Sequence, residues 1–335
     1  MRKLICLDLI FFFLLSAISC GQSDEKSISS LEPEKVALFR VGINGRYGYI
    51  DKTGKFVINP QFDEARSFSE GLAAVRIGDE KSGKYGFIDK TGKFVINPQF
   101  DEARSFSEGL AGVNISGEGS LLDKMTSGKW GYIDKTGKFI INPQFNFILP
   151  FSEGLAAVWI GDEKSRKWGY IDKTGKFIIN PQFDEAWSFS EGLARVRIGD
   201  EKSGKYGFID KTGKFVINPQ FGFAWGFSEG LARVWIGDEK SGKYGFIDKT
   251  GKFVINPQFD FAWSFSEGLA RVRIGDEKSG KWGFIDKTGK FVINPQFDSA
   301  WGFSEGLAEV RIGDEKLGKW GYINKSGRWV WPPEK

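Results

Sequence analysis

Tryptophan and arginine occur together at two positions of a segment that repeats along this chain. In the linkers between repeats, one position holds Arg66, Arg104, Leu149, Trp187, Trp225, Trp263 and Trp301 in turn. Eight residues later stand Ala74, Gly112, Ala157, Arg195, Arg233, Arg271 and Glu309. Three of the four tryptophans are therefore followed by arginine, which predicts stacking of indole on guanidinium worth about 0.5–1 kcal/mol for each exposed pair.

A second variable position lies two residues farther along the same predicted strand, and therefore on the same face. It holds Arg76, Asn114, Trp159, Arg197, Trp235, Arg273 and Arg311. Because Trp and Arg dominate the energetics of binding surfaces, we predict an aromatic and cationic stripe on units 4–8 that binds an extended glycan or a partner protein. The candidate ligand-binding residues are Trp187, Trp225, Trp263, Trp301, Arg195, Arg233, Arg271, Trp159 and Trp235. The alternative is that the linker tryptophans pack the seams between units, with the arginines lying over them.

Few residues of this sequence could support catalysis or hold a metal. There is no His, and the only cysteines are Cys6 and Cys20, both near the N-terminus. An enzyme needs a unique constellation of reactive groups, whereas nearly every polar residue here recurs at equivalent places in several repeats. We therefore expect no enzyme, no catalytic residue, no metal site and no cofactor. A glycan-acting enzyme that uses the repeated carboxylates is the remote alternative.

The charge pattern argues against nucleic acid as a partner. The formal net charge is +4, and acidic and basic residues are interleaved, as in Asp79-Glu80-Lys81. Interleaved charges of opposite sign cancel within a Debye length. The sequence therefore lacks the basic patch that nucleic-acid binding requires.

The first twenty residues have the three-part pattern of a secretory signal peptide. Arg2 and Lys3 precede an apolar run over 4–15, which Asp8 interrupts, and small residues lead up to Cys20. The small residues before Cys20 resemble the lipobox of bacterial lipoproteins, in the relaxed form seen in spirochaetes. The resemblance implies a signal peptide over 1–19 and a palmitate-type lipid anchor on Cys20. An ordinary signal peptide with an incidental cysteine is the alternative.

The residues after Cys20 bear on where such a lipoprotein would reside. Residues 20–35 are polar and Ser-rich, which is typical of a flexible tether. Gly21 stands where enteric bacteria use Asp as an inner-membrane retention signal. We therefore expect an exported protein that is lipid-anchored to the outer membrane, facing either the periplasm or the cell surface.

The rest of the chain consists of eight copies of one segment. A basic–aromatic–Gly motif recurs eight times, from Arg46-Tyr47-Gly48 to Lys319-Trp320-Gly321, at intervals of 38 residues. One interval of 45 contains a seven-residue insertion within Gly117–Ser127, the one loop that is not repeated. The eight units cover 36–333, which leaves 334–335 as a tail. Such periodicity is typical of repeat architectures, in which neighbouring units complete each other's core.

Within one unit the pattern predicts three antiparallel strands, over 193–199, 206–210 and 214–219. The sequence Asp210-Lys211-Thr212-Gly213 is a three-residue hairpin signal. Strict alternation places Phe215, Ile217 and Pro219 on one face and other apolar residues on the opposite face. A sheet that is apolar on both faces must be covered on both, so each unit is expected to lie between its neighbours, with linker residues such as Phe183 and Phe189 filling the seams.

The predicted fold is therefore all-β: eight three-stranded antiparallel units in an open, β-solenoid-like stack or a β-propeller-like ring. The linker could supply a fourth strand to each sheet. These units resemble the WG repeat family, also called the KWG repeat. The match rests on K-[YW]-G-[FY]-I-D-K-T-G-K-F-[VI]-I-N-P-Q-F and F-S-E-G-L-A, and it covers 36–333. The resemblance implies an all-β repeat, usually exported, without an assigned chemistry.

The resulting functional expectation is a membrane-anchored binding scaffold. A repeated surface gains affinity for an extended partner by avidity, and the insertion Gly117–Ser127 is a candidate for one special contact. A structural surface spacer without a specific ligand is the alternative from another class. The ligand and the oligomeric state are open at this point.

Overall fold

The computed structural model describes residues 37–115, 128–161, 165–238, 241–314 and 316–333. The predicted signal peptide, Cys20, the predicted tether, the insertion segment 117–127 and the tail lie outside these ranges. Among the described residues no helix is both long and apolar enough to cross a membrane.

Each unit contributes three strands to its sheet, as the sequence predicts. The first strands are Phe39–Ile43, Ala73–Ile77, Ala111–Ile115, Ala156–Ile160, Ala194–Ile198, Ala232–Ile236, Ala270–Ile274 and Leu307–Ile312. The second strands are Arg46–Ile50, Lys84–Ile88, Lys129–Ile133, Lys167–Ile171, Lys205–Ile209, Lys243–Ile247, Lys281–Ile285 and Lys319–Asn324. The third strands are Phe56–Phe62, Phe94–Phe100, Phe139–Phe145, Phe177–Phe183, Phe215–Phe221, Phe253–Phe259, Phe291–Phe297 and Trp329–Trp331.

The linkers add a short fourth strand to every sheet except the first. These linker strands are Glu64–Ala65, Glu102–Ala103, Phe147–Ile148, Glu185–Ala186, Phe223–Ala224, Phe261–Ala262 and Ser299–Ala300. The order within a sheet is linker, first, second and third strand, and all pairs are antiparallel. The predicted all-β fold of repeated antiparallel units is confirmed.

The turn between the second and third strands is held by its aspartate. In unit 5, Oδ1 of Asp210 accepts hydrogen bonds from the backbone nitrogens of Thr212 at 2.8 Å and Lys214 at 3.1 Å. Gly213 has a φ of 87°, in the left-handed region that a side chain would disfavour. The hydrogen bond from the Thr212 hydroxyl holds the pKa of Asp210 below its usual value. The hairpin interpretation of this motif is confirmed.

The predicted alternation along the third strand is wrong at one point. Ile217 packs into the seam with unit 6, but Phe215 packs against the seam with unit 4. The reason is a bulge, because Phe208 pairs with Ile217 while the next residue, Ile209, pairs with Phe215. One extra residue in the third strand turns the side chains before it to the other face.

The glycine after the repeated aromatic residue lies against the backbone of the third strand. A Cβ on Gly207 would come within 2.6 Å of the Ile217 carbonyl oxygen and 2.7 Å of the Pro219 nitrogen. The contact is with main-chain atoms of a strand in the same sheet, which cannot move aside like a flexible side chain. Glycine at position 207 therefore permits the close approach of the third strand.

Gly207→Ala should therefore destabilise the array by about 2–3 kcal/mol, as expected for overpacking at a rigid site. The matched control is Gly302→Ala, because a Cβ there meets no atom within 4 Å. Chemical unfolding of both variants checks this expectation. Equal stability of the two variants would show that the third strand can move away from residue 207.

Each apolar core lies between two successive units. The core of seam 4/5, between units 4 and 5, joins Tyr170, Ile179 and Phe183 of unit 4 to Ala194 and Val196 of unit 5. The linker residue Phe189 lies in the same core, 2% exposed. Large side chains of one unit thus cover small side chains of the next, which confirms the predicted role of the neighbours and of the linker phenylalanines.

Polar ties cross the same seams. The Ser190 hydroxyl donates to the Phe227 carbonyl of the next linker at 2.7 Å. The Glu191 carboxylate accepts from the Gly230 nitrogen at 3.0 Å and pairs with Lys249 Nζ at 3.2 Å. Glu191 has a φ of 54°, an uncommon conformation for a residue with a side chain. The repeated F-S-E-G segment therefore fixes the spacing between successive units.

The outer faces of the two terminal units are exposed. Trp331 of unit 8 is 52% exposed, whereas Ile293, the same position in unit 7, is 4% exposed. At the other end, Phe39 is 40% exposed, whereas its counterpart Ala73 is 1% exposed. No core cluster within the described residues joins unit 8 to unit 1.

Candidate functional site

The linker tryptophans are placed by backbone pairing with the first strand of their own unit. The Trp187 nitrogen donates to the Arg195 carbonyl at 3.1 Å, and the Trp225 nitrogen donates to the Arg233 carbonyl at 3.0 Å. Trp263 and Arg271 repeat this bond at 3.0 Å. The eight-residue spacing between the two variable positions therefore reflects one antiparallel backbone pair.

The predicted stacking of these side chains is confirmed. The guanidinium carbon lies 4.3 Å from the Trp187 ring centroid for Arg195, 3.5 Å from Trp225 for Arg233, and 4.4 Å from Trp263 for Arg271. Two of the arginines also reach the tryptophan of the next unit. Arg233 lies 5.3 Å from the Trp263 centroid and Arg271 lies 5.3 Å from that of Trp301. Units 6–8 thus carry an alternating ladder of indole and guanidinium groups.

The arginines of this ladder are less exposed than the predicted stripe requires. Arg233 is 2% exposed and Arg195 is 9% exposed. Each donates through Nη1 to a carbonyl of the next linker strand, at Ala224 for Arg195 and Ala262 for Arg233. Burial lowers the pKa of both guanidiniums to about 10, which leaves them charged at neutral pH. They therefore link adjacent units from beneath the ladder.

The tryptophans form the accessible part of the site. Trp187, Trp263 and Trp301 are 47%, 44% and 56% exposed, and Trp225 is half-buried. We use the name aromatic rim for these four tryptophans together with the aromatic residues between them, which are Tyr206, Phe223, Tyr244 and Phe261. The structure thus combines the two interpretations of the sequence, because the arginines stabilise the seams while the indoles face solvent.

Comparison of the eight repeats with one another did not identify the residues that connect these tryptophans. Phe223, 52% exposed, stacks on Tyr206 with ring centroids 5.8 Å apart and lies 6.1 Å from Trp225. Phe261 lies 5.8 Å from Trp263 and 5.1 Å from Tyr244 in the same way. The signal was a third variable position, in the linker strand: Glu64, Glu102, Phe147, Glu185, Phe223, Phe261 and Ser299.

The remaining two candidates, Trp159 and Trp235, are half-buried and pack within their own units. Trp159 lies 6.2 Å from Trp168 and 6.3 Å from Phe147. Trp235 occupies space that only glycine leaves free, because a Cβ on Gly222 would lie 2.6 Å from its ring. Both therefore pack beside the aromatic rim within one unit and are not part of the ladder of indole and guanidinium groups.

Units 1–3 have a polar surface at the equivalent place. Arg76 pairs with Glu64 at 3.8 Å, and Arg66 pairs with Glu102 at 3.6 Å. A groove of about 370 Å³ lies beside these residues and is lined partly by Asp63 and Glu80. In the described ranges no three acidic, cysteine or histidine side chains are grouped so that they could hold a metal ion.

Sequence comparison assigns the chain to a family. The signature described as the WG containing repeat matches residues 47–80, 85–118, 130–162, 168–201, 206–238, 244–277, 282–315 and 320–334. The chain belongs to the WG repeat family. Each of the first seven WG repeats begins at the aromatic residue of the second strand and ends just after the first strand of the next unit, so these seven repeats span a seam. The comparison with curated protein sequences gives no significant match.

Three solved structures are similar to this WG repeat protein at low sequence identity. The β-propeller domain of the Trilobed protease from Pyrococcus furiosus is 11% identical, with a TM-score of 0.43, over 82% of this chain and 98% of that one. A prolyl endopeptidase is 10% identical, with a TM-score of 0.47, over 88% of this chain and 55% of that one. TolB from Acinetobacter baumannii is 12% identical, with a TM-score of 0.34, over 79% of this chain and 77% of that one.

Proposed function

We propose that this WG repeat protein is an exported, lipid-anchored scaffold whose aromatic rim binds an extended glycan. The observation that carries the proposal is the row of exposed indoles at equivalent positions of successive units, with Trp187, Trp263 and Trp301 each about half exposed. Exposed tryptophans at fixed positions on a rigid sheet offer flat apolar faces at little cost in side-chain entropy. The arginines beneath them hold this geometry.

The repetition of the site favours a glycan over a protein partner. A polymer of sugars repeats along its length and can place equivalent rings on equivalent indoles. Each contact then adds to the others through high effective concentration. A folded protein partner has no such translational repeat and would use only part of the rim. The spacer alternative predicts no specific ligand.

Changing Trp187, Trp225, Trp263 and Trp301 together to alanine should abolish glycan binding. Interface tryptophans often contribute about 2 kcal/mol each, so even partial additivity predicts a loss of at least about 100-fold in affinity. Glycan arrays and titration calorimetry with residues 36–333 measure this effect. The folded fraction should change little, because three of these side chains are about half exposed.

The matched control for this test changes the exposed tryptophans of the third strand of unit 8. Trp329 and Trp331 are 38% and 52% exposed but lie off the aromatic rim. Their replacement by alanine should leave glycan affinity unchanged. Unfolding of the fourfold variant would favour seam packing as the role of the rim, and binding of protein but no glycan in pull-downs would favour a protein partner.

The proposed membrane anchor depends on Cys20. We expect the full-length chain to be labelled with palmitate analogues in a bacterial host and to fractionate with the outer membrane, since several acyl chains on one residue anchor a soluble domain stably. Cys20→Ala should abolish the labelling and release the protein in soluble form. Retention of the variant in the membrane would contradict lipidation at this residue.

A further inference from the structure

Charges on the aromatic rim change from one end of the array to the other. In units 2 and 5 the linker strand places a glutamate opposite the arginine of the first strand. Glu64 pairs with Arg76 across the strands, and Glu185 pairs with Arg197, with the charged atoms 3.8 Å and 3.0 Å apart. These arginines are therefore neutralised by a carboxylate of their own unit.

Units 7 and 8 keep the arginine but lack the glutamate. Phe261 lies opposite Arg273, and Ser299 lies opposite Arg311, in the same register. Neither arginine takes part in an ion pair with a carboxylate among the residues that the structure describes. The Nε atom of each is buried without a hydrogen-bond partner, as it also is in Arg76 and Arg197. The exchange of Glu for Phe or Ser removes the paired carboxylate of units 2 and 5, and in the described part of the chain only the longer-range attraction of Asp260 and Asp276 to Arg273 and of Asp298 to Arg311 remains.

Arg271, the ladder arginine of unit 7, adds to the positive charge of this unit. Burial lowers the pKa of Arg271 to about 10, and no carboxylate counters that effect. Arg195 of unit 5, by contrast, is stabilised by the nearby Glu185. Arg271 and Arg273 are only half-buried and border the same tryptophan, Trp282, at 5.4 Å and 5.7 Å from its ring centroid. Nη1 of Arg271 also donates to the Ala300 carbonyl, so unit 7 combines half-buried cationic groups, one of them tied to the next linker strand, with aromatic ones.

The nearest acidic groups are already engaged. Asp260 pairs with Lys243 and accepts a hydrogen bond from the Gly275 nitrogen at 2.8 Å. Asp298 does the same with Lys281 and the Gly313 nitrogen. Glu309 lies two residues from Arg311 on the same strand, so the positive region is centred on unit 7 and not on unit 8.

We infer that the ligand of the aromatic rim is an acidic glycan, a sugar polymer with carboxylate or sulfate groups, and that Arg271 and Arg273 of unit 7 bind its anionic groups. The inference rests on the proposed function and specifies its ligand class. Sugar rings would lie on the exposed indoles, and the acidic groups would accept hydrogen bonds from the half-buried guanidiniums. Charge-assisted bonds of this kind are the stronger ones in proteins.

The test compares polymers of matched length that differ in charge. Residues 36–333 are titrated with polygalacturonate, with dextran sulfate and with neutral dextran, at low and at moderate salt. We expect one or both acidic polymers to bind at least about tenfold more tightly than dextran, the loss of one charge-assisted hydrogen bond being of that size. The preference should weaken as salt rises. Which acidic polymer binds more tightly distinguishes carboxylate from sulfate.

A variant taken from the chain itself tests the assigned residues. Phe261→Glu restores the residue that units 2, 3 and 5 carry at this position, so the fold should tolerate it. It should reduce the affinity for the acidic polymer at least about tenfold by pairing with Arg273. Phe261→Gln is the uncharged control. Both variants lose the same ring of the aromatic rim, so the acidic polymer should bind Phe261→Gln at least about tenfold more tightly than Phe261→Glu.

Three outcomes would overturn the inference. Equal binding of dextran and the acidic polymers would refute the acidic ligand but leave glycan binding by the aromatic rim intact. Equal binding of single-stranded DNA would show attraction by charge alone, without recognition of sugar polymers. Failure of every polymer to bind would overturn the proposed function as well, so the two failures can be told apart.

Discussion

Tyr170→Ala should destabilise the array by about 3–5 kcal/mol, the usual range for removing a large buried aromatic side chain. Tyr170 is fully buried in seam 4/5, with its ring centroid 5.0 Å from that of Phe189. Its hydroxyl donates to the Trp187 carbonyl at 2.8 Å, and truncation also removes this hydrogen bond. Unfolding in denaturant, together with hydrogen exchange in the first strand of unit 5, measures the loss.

The same residue type at the same position of unit 8 provides the control. Tyr322 corresponds to Tyr170 but lies on the outer face of the last unit, where it is 36% exposed. Its replacement by alanine should cost less than about 1 kcal/mol, as for most exposed sites. Similar costs for the two variants would mean that the stability at this position does not come from the neighbouring unit.

Much of the fold could be predicted from the sequence because each unit repeats the same local signals. The D-K-T-G turn, the three apolar strands and the two apolar faces all follow from residue type and period. The side to which Phe215 points could not, because the register shifts where Phe208 pairs with Ile217 and the next residue, Ile209, pairs with Phe215. A prediction from alternation assumes regular pairing of the strands, and no residue type in the sequence marks the position of the bulge.

The candidate site was predicted in part, for a physical reason. Comparison of the units predicted the contact between Trp and Arg, because two positions whose residues vary together across the copies of one fold are expected to touch. It could not show that Arg233 is buried at 2% exposure, because the cover comes from the next unit. The bridging Phe223 and Phe261 vary as clearly as the tryptophans, and the same comparison could have found them.

A single unit cut from the array should not fold. Residues 183–221 contain one complete sheet with its linker, and both faces of that sheet are apolar. In the array, Ile209 faces unit 4 and Phe208 faces unit 6, and neither is exposed to solvent. A segment of this size rarely folds alone, the practical minimum being about 40 residues without disulfides or metals. A piece spanning several units, over 183–297, retains two internal seams and should fold.

The nuclear magnetic resonance spectrum of the isolated unit 183–221 in water tests the central claim most directly. If successive sheets are stable only because they cover one another, its amide signals will be narrowly dispersed, as in an unfolded chain, while those of 183–297 will be widely dispersed. Wide dispersion and slow amide exchange in the single unit as a monomer would contradict that claim.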